Sequence, residues 1–189
     1  MSSPVLHQGA VLGSVLASTL GLWRGSLVVK AAVQPPQLPV LYEFEASPYC
    51  RAVREAITAL HLDVEIRPCP KGGSRFRPEA ERLGGKQQFP LLVDPNTDVV
   101  MYESADIIDY LFRRYGDMAT PALYRASVLK PKVSTLASAV RLGRGWKARD
   151  AMAPGRPLEL WSFESSPYSR LVRERLSELE LPYVLHSLG

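Results

Sequence analysis

Apolar positions along the chain change period several times, and each change predicts an element. Val40 to Phe44 is a short apolar run of strand type. Ser47 and Pro48 then stand where an N-cap and a first helical residue belong, because proline lacks the N–H that a helix start leaves unpaired. In the helix that follows, Tyr49, Val53, Ile57 and Leu60 recur at helical spacing and are expected inside, with Arg51, Arg54, Glu55 and Thr58 facing water. Val64 to Arg67 reads as a second strand and Arg77 to Leu83 as a polar helix. Pro90–Asp94 and Val99–Met101 read as two strands joined by a tight turn, and Ser104–Tyr115 as a last helix with Ile107, Ile108, Leu111 and Tyr115 inward. The order strand, helix, strand, helix, strand, strand, helix predicts an α/β fold with a four-stranded mixed sheet and helices on both faces.

The pattern then repeats. Leu41 to Glu55 recurs 119 residues later as Leu160 to Glu174, with Leu41, Phe44, Glu45, Ser47, Pro48, Tyr49, Arg51, Val53, Arg54 and Glu55 all identical to their counterparts. The expected organisation is an N-terminal segment 1–38, a first unit 39–116, a partly helical linker 117–157 with a helix from about Val133 to Leu142, and a second, strand-helix-strand unit 158–189. The second unit has 32 residues where the first has 78. Such a piece cannot bury both faces of a sheet alone, so either it is truncated or it leans on the first unit.

Charge changes the picture only in its distribution. The formal net charge is +4, but segments 1–38, 39–116, 117–157 and 158–189 carry +2, −2, +6 and −2. The positive excess therefore lies outside the repeated units, and no nucleic-acid partner is expected. Two cysteines are too few for a disulfide framework, which points to a reducing compartment. Before Glu43 there is no acidic residue, and serines are scattered among apolar residues. That segment reads as an amphipathic helix docked on the protein, as a targeting remnant, or as a membrane contact; its glycines and weak apolarity argue against a span. His7, His61 and His186 are too scattered to predict a metal site.

Three places carry candidate chemistry. A helix starting after Ser47 presents free N–H groups and a positive dipole end, which favour a thiolate; Ser47 is either an ordinary cap or a hydroxyl donor to that sulfur. Phe89-Pro90 opens a strand with a residue that cannot donate to the ladder, and a cis bond there would turn the Phe89 backbone toward the helix start. Glu103 and Ser104 begin the last helix, either as a capping pair or as a site for an amino-acid head group. Cys50 is either a small packed side chain or a partly exposed thiol able to oxidise; Cys69, between two prolines, reads as a loop thiol, and a bridge between them is left open.

Taken together, Ser-Pro-Tyr-Cys-Arg-Ala-Val-Arg at 47–54, Gln-Phe-Pro-Leu-Leu-Val at 88–93 and Glu-Ser-Ala-Asp-Ile-Ile at 103–108 resemble the N-terminal domain of glutathione S-transferases, a variant of the thioredoxin and glutaredoxin fold. With Gly84 to Pro90, Asp94 to Thr97 and the repeat, the chain is similar more closely to a plant and algal plastid family of tandem domains of this type. The resemblance implies a thioredoxin-like fold, a chloroplast location and glutathione as ligand or co-substrate. By position it implies that Ser47 faces the glutathione sulfur. Phe89 before cis Pro90 pairs with the cysteinyl part, Glu103 and Ser104 bind the γ-glutamyl end, and Gln88 reaches the glycyl end. Two departures stand out. The family often carries Cys-x-x-Cys where this chain has Ser47 and Cys50, and Ser166 and Ser169 leave the second unit with no thiol. A 41-residue linker is also too short for the all-helical domain that completes a transferase's electrophile pocket. The expectation is a glutathione-binding protein with weak serine-type transfer or deglutathionylation activity. The alternatives are a non-catalytic module with protein partners on the linker or N-terminal helix, or a redox sensor through Cys50. Whether the chain is an enzyme, transferase-like or thiol-disulfide oxidoreductase-like, stays open at this level.

Overall fold

A computed structural model describes residues 4–20, 23–129, 141 and 143–189, and twelve elements lie among these described residues. They are α1 (Pro4–Leu20), β1 (Val40–Glu43), α2 (Pro48–Ala59), β2 (Val64–Pro68), α3 (Arg77–Gly84), β3 (Leu91–Asp94), β4 (Val99–Met101), α4 (Ser104–Arg114), α5 (Ala122–Leu129), β5 (Leu158–Ser162), α6 (Pro167–Glu178) and β6 (Tyr183–Ser187). The fold is the mixed α/β, thioredoxin-like arrangement that the pattern predicts. The helix expected near Val133–Leu142 falls on residues outside those described, apart from Arg141. Helix α5, which the sequence reading missed, precedes it.

One expectation is corrected. The sheet has six strands rather than four, in the order β4-β3-β1-β2-β6-β5. Within the first repeat β1 runs parallel to β2 and antiparallel to β3, with Leu41 opposite both Ile66 and Leu92. The second repeat contributes β5 and β6, parallel to each other, and β6 joins the outer edge of β2 in antiparallel sense. An uncovered sheet edge is a row of unpaired backbone groups, and β6 satisfies the one that β2 would otherwise present.

That seam is self-complementary. Val64 pairs with Leu185, Glu65 with Val184 and Ile66 with Tyr183. Adding the 119-residue offset to one side gives the other, reversed, so the two repeats are related by a local two-fold passing between Glu65 and Val184. The alternation of β2 and β6 sends Val64, Ile66, Tyr183 and Leu185 into one continuous core with Leu41, Val53, Ile57, Ile107 and Leu111. Leu176 of α6 packs against the same cluster.

A second correction concerns α2. Arg51, Arg54, Glu55 and Thr58, expected in water, are 3%, 1%, 1% and 1% exposed, whereas Tyr49 is 48% exposed. The physical reason is a second partner for the helix. Arg54 reaches Glu45 (3.0 Å), Glu164 (2.8 Å) and Glu43, and Arg173 reaches the same Glu45 and Glu164 at 3.1 Å each. Glu45 and Glu164 are equivalents in the repeat, as are Arg54 and Arg173, so the four form a closed ring across the two-fold. Backbone bonds obey the same symmetry: Glu45 N–H donates to Ser177 Oγ and Glu164 N–H to Thr58 Oγ1, both at 3.2 Å. Buried charges persist because each is paired and hydrogen-bonded.

The repeat also extends further than its most conspicuous string. Ser14, Leu16, Ala17, Ser18, Leu22, Arg24 and Gly25 recur 120 residues later as Ser134, Leu136, Ala137, Ser138, Leu142, Arg144 and Gly145. Gly25 and Gly145 both have positive φ, at 79° and 75°. A Cβ on Gly25 would lie 2.7 Å from Glu164 Cβ, and one on Gly145 would lie 2.9 Å from Glu45 Cβ. Only glycine lets either loop approach the ring so closely.

Candidate functional site

The chain reverses between β1 and α2, and Ser47 is the N-cap residue there, with φ −76° and ψ 122°. Its Oγ accepts from the Cys50 N–H (3.3 Å), and its own N–H donates to Phe44 O (3.1 Å). Accepting one bond leaves the hydroxyl proton free to donate. The Tyr49 N–H, the one left unpaired in the first turn, and the helix dipole make this corner favourable to an anion. Ser47 is 3% exposed, with Tyr49 open to solvent beside it.

The Phe89-Pro90 bond is cis. Pro90 is buried and opens β3, while Gln88 and Phe89 are half-buried. The Phe44 ring, next to the Ser47 corner, meets the Phe89 ring edge-on at 6.4 Å, and Arg77 lies 4.8 Å over Phe89. Glu103 is exposed, with φ 64°, and makes no side-chain capping bond to α4; its Oε1 instead accepts from Gln88 Nε2 at 2.6 Å. Ser104, the first residue of α4, is buried. The structure thus brings Gln88 and Glu103 into contact and sets Phe89 against the β1–α2 corner through Phe44.

Cys50 is wholly buried, not partly exposed as one sequence reading has it. Burial, and then the nearby Glu43 carboxylate, push its thiol up to about 12, against the weaker pull of Ser47 and the Phe44 backbone. Burial drives the Cys69 thiol up too, beyond the ordinary thiol range. Both cysteines are free, and the thiolate, which is the reactive form, is disfavoured at both.

Sequence reasoning missed one wall of this region. Trp146, from the basic linker, meets the Phe44 ring edge-on at 5.7 Å. The linker is tied down alongside: Lys71 N–H donates to Trp146 O (2.7 Å) and Ala148 N–H donates to Lys71 O (3.0 Å). A lone tryptophan in a glycine- and arginine-rich stretch was the available signal.

The second repeat builds the same corner, with α1 packed on it. Ser166 Oγ accepts from Ser169 N–H at 3.3 Å, copying Ser47 and Cys50. Here, however, Ser14 and Ser18 of α1 donate to Pro167 O (2.9 Å) and Ser165 O (2.7 Å), and Arg170 donates to Ser14 O (3.0 Å). Among the described residues this repeat has no counterpart of β3, Pro90 or Glu103. No group of three or more His, Cys, Asp and Glu side chains among the described residues could hold a metal ion, and no described helix is long and apolar enough to cross a membrane.

Comparison with known proteins finds a family match over the first repeat. Residues 41–119 match the family model described as glutathione S-transferase, N-terminal domain. Among solved structures, a Bombyx mori glutathione transferase is 28% identical over 46% of this chain and 39% of its own length, with a TM-score of 0.39. A Nilaparvata lugens delta-class glutathione transferase is 30% identical over 41% and 36%, with a TM-score of 0.35. The chain thus spans less than half the length of either. No curated protein matches it.

Proposed function

We propose that the first repeat binds glutathione, or a closely related thiol, at the corner between β1 and α2. The observation that carries this reading is the Ser47 hydroxyl at a helix N-terminus, with a proton free to donate, in a region bounded by the cis Phe89-Pro90 segment. In this reading the helix end and Ser47 stabilise the glutathione thiolate. The Phe89 backbone pairs with the cysteinyl part, Glu103 and Ser104 hold the γ-glutamyl end, and Gln88, already bonded to Glu103, reaches the glycyl end. The family match over residues 41–119 supports the ligand class. Weak serine-type transfer follows chemically: with an aryl halide the thiolate attacks the ring carbon, a C–S bond forms, halide leaves, and the thiol proton passes to solvent. Deglutathionylation is the second activity to assay. The burial of Cys50 favours a reaction in which it does not attack.

Titration calorimetry with glutathione is the test. Binding that weakens about tenfold in Glu103→Ala and in Ser104→Ala is expected, since each removes a hydrogen bond to a charged group. A Ser47→Ala variant that binds equally well but loses rate with the aryl halide assigns Ser47 its role. The small exposure of Ser47 and the Trp146 side chain on Phe44 favour a second reading, a non-catalytic interaction module. Absence of glutathione binding selects it. A plastid address with cleavage of residues 1–38 conflicts with α1 holding the second repeat, so N-terminal sequencing of the protein from cells decides between them.

A further inference from the structure

The local two-fold sets like charges against each other as well as unlike ones. Arg51 of α2 and Arg170 of α6 are equivalents in the repeat, both 3% exposed. Both line one small cavity of about 10 Å³ beside Glu45 and Ala46 of the β1–α2 loop. In the first repeat Arg51 Nε donates to Glu55, one turn on, at 3.1 Å. The counterpart of Glu55 is Glu174, but both Glu174 oxygens are taken by Arg141, at 2.6 and 2.8 Å. The first repeat has no such arginine: the residue 120 positions before Arg141 is Gly21. Arg170 is left without a hydrogen-bonded carboxylate. It donates to Ser14 O at 3.0 Å, and Glu45 Oε1 stands 3.9 Å from its Nε, beyond hydrogen-bond reach.

Two charged donors are consequently buried and unused: Arg51 Nη2 and Arg170 Nη2 have no acceptor among the described residues. Leaving such donors unpaired is costly. Burial, and next the facing Arg51 charge, pull Arg170 down to about 10. The carboxylates nearby are already matched. Glu45 and Glu164 share Arg54 and Arg173, Glu174 has Arg141, and Glu55 has Arg51 with the Arg24 charge close by. Glu178, further along α6, meets Arg149 and Arg175. Glu43 remains; it sits on Arg54, and burial raises its carboxyl to about 7. Against it stand Arg170 and the exposed Arg144, which also lines the cavity. Arginines therefore outnumber carboxylates here even with Glu43 ionised.

We infer that this cavity holds one monatomic anion, a chloride, between Arg51 and Arg170. Its volume is about that needed for a single water, which excludes sulfate, phosphate and any metabolite carboxylate. A water there would accept from both guanidinium groups and leave the positive excess buried, whereas chloride accepts from both and offsets it. Exposed Arg144 lets one wall yield to an ion slightly larger than water. Glu45 and Glu174 also line the cavity, but each has both oxygens on guanidinium groups. The ion ties α2 of one repeat to α6 of the other, where Arg170 also holds α1. Nothing in this depends on what the Ser47 corner binds.

The test melts the full chain at constant ionic strength in mixtures of sodium chloride and sodium gluconate, whose anion is too large for the cavity. Chloride is expected to raise the thermal midpoint saturably, by about 3–5 °C once it stands at ten times its Kd. Arg170→Met removes that dependence. Arg144→Gln, at an exposed position, raises the chloride concentration needed for half the effect several-fold, and it carries the test should Arg170→Met not fold. In crystals of the parent protein grown in sodium bromide, an anomalous peak is expected between Arg51 and Arg170. Equal midpoints in the two salts overturn the proposal and leave a water in the cavity. So does a chloride effect unchanged in the variants, or a bromide map with no peak at the two arginines.

Discussion

The two repeats place the same string, Ser-Pro-Tyr-x-Arg-x-Val-Arg-Glu, on the same strand-to-helix turn, yet they do different things with it. Facing each other, the strings are alike: Arg54 and Arg173 share Glu45 and Glu164, and each glutamate N–H finds the hydroxyl of the opposite helix. At the helix start they part. The Ser47 corner meets the segment of the cis Phe89-Pro90 bond through the Phe44 and Phe89 rings, whereas α1 bonds to the backbone of the Ser166 corner. A motif read as chemistry in one copy is thus structural in both, and only its surroundings make a candidate site of the first. The Arg and Glu positions serve the joint between repeats.

The sharpest way to break this comparison is through the ring. Arg54→Ala or Arg173→Ala leaves the buried Glu45 and Glu164 carboxylates sharing a single guanidinium, and each is expected to lose about 3–5 kcal/mol in urea unfolding. Arg54→Ala should cost more, because Arg54 also holds Glu43 where Arg173 meets only the Ser162 hydroxyl, at 3.2 Å. Equal costs would show that Glu43 is a bystander.

Next in size is the cover on the second corner. Ser14→Ala with Ser18→Ala removes two hydrogen bonds, one of them fully buried, and should cost about 2 kcal/mol together. Cleavage within residues 4–20 by limited proteolysis should rise correspondingly. Unchanged protection would mean that apolar packing, not the serine pair, seats α1.

The last test is a pH dependence that separates Glu43, beside the ring, from Glu164 within it. Burial, with Glu45 and Glu164 nearby, raises the Glu43 carboxyl to about 7 despite Arg54. Burial acts on Glu164 too, but Arg173 and Arg54 outweigh it and hold that carboxyl down at about 2. A group that binds its proton more tightly when folded loses its stabilising contribution as pH rises, so the Glu43 contribution fades between about 4.5 and 7. The contribution of Glu164 is present above about 4.5 and is lost toward pH 2. Denaturation midpoints measured from pH 4.5 to 7.5 should fall in the parent protein and flatten in Glu43→Gln. The same slope in both would remove Glu43 from the account.

Much of the first repeat was legible because its signals are local. Ser47 and Pro48 mark a helix start by their own chemistry, and Ile107, Ile108 and Leu111 mark the inward face of α4 by spacing. What failed was the inference from polarity to exposure on α2, since periodicity says which residues share a face and not what that face meets. The recurrence of Glu45 with Arg54 as Glu164 with Arg173 was the hint, as two copies of a mixed-charge face can pair with each other. Trp146 and the role of Ser14 and Ser18 lay outside any periodic pattern, because their partners lie more than a hundred residues away.

The sequence by itself determined the order of elements, the helix start at Ser47, the segment around Pro90 and the duplication, because each depends on residues within a few positions or on direct self-similarity. Tertiary structure decided the rest: that β6 completes the edge of β2, that the charged face of α2 is interior, and that α1 packs on the Ser166 corner. Those outcomes come from edges, charges and surfaces finding complements across the chain, and a local pattern does not record which complement is found.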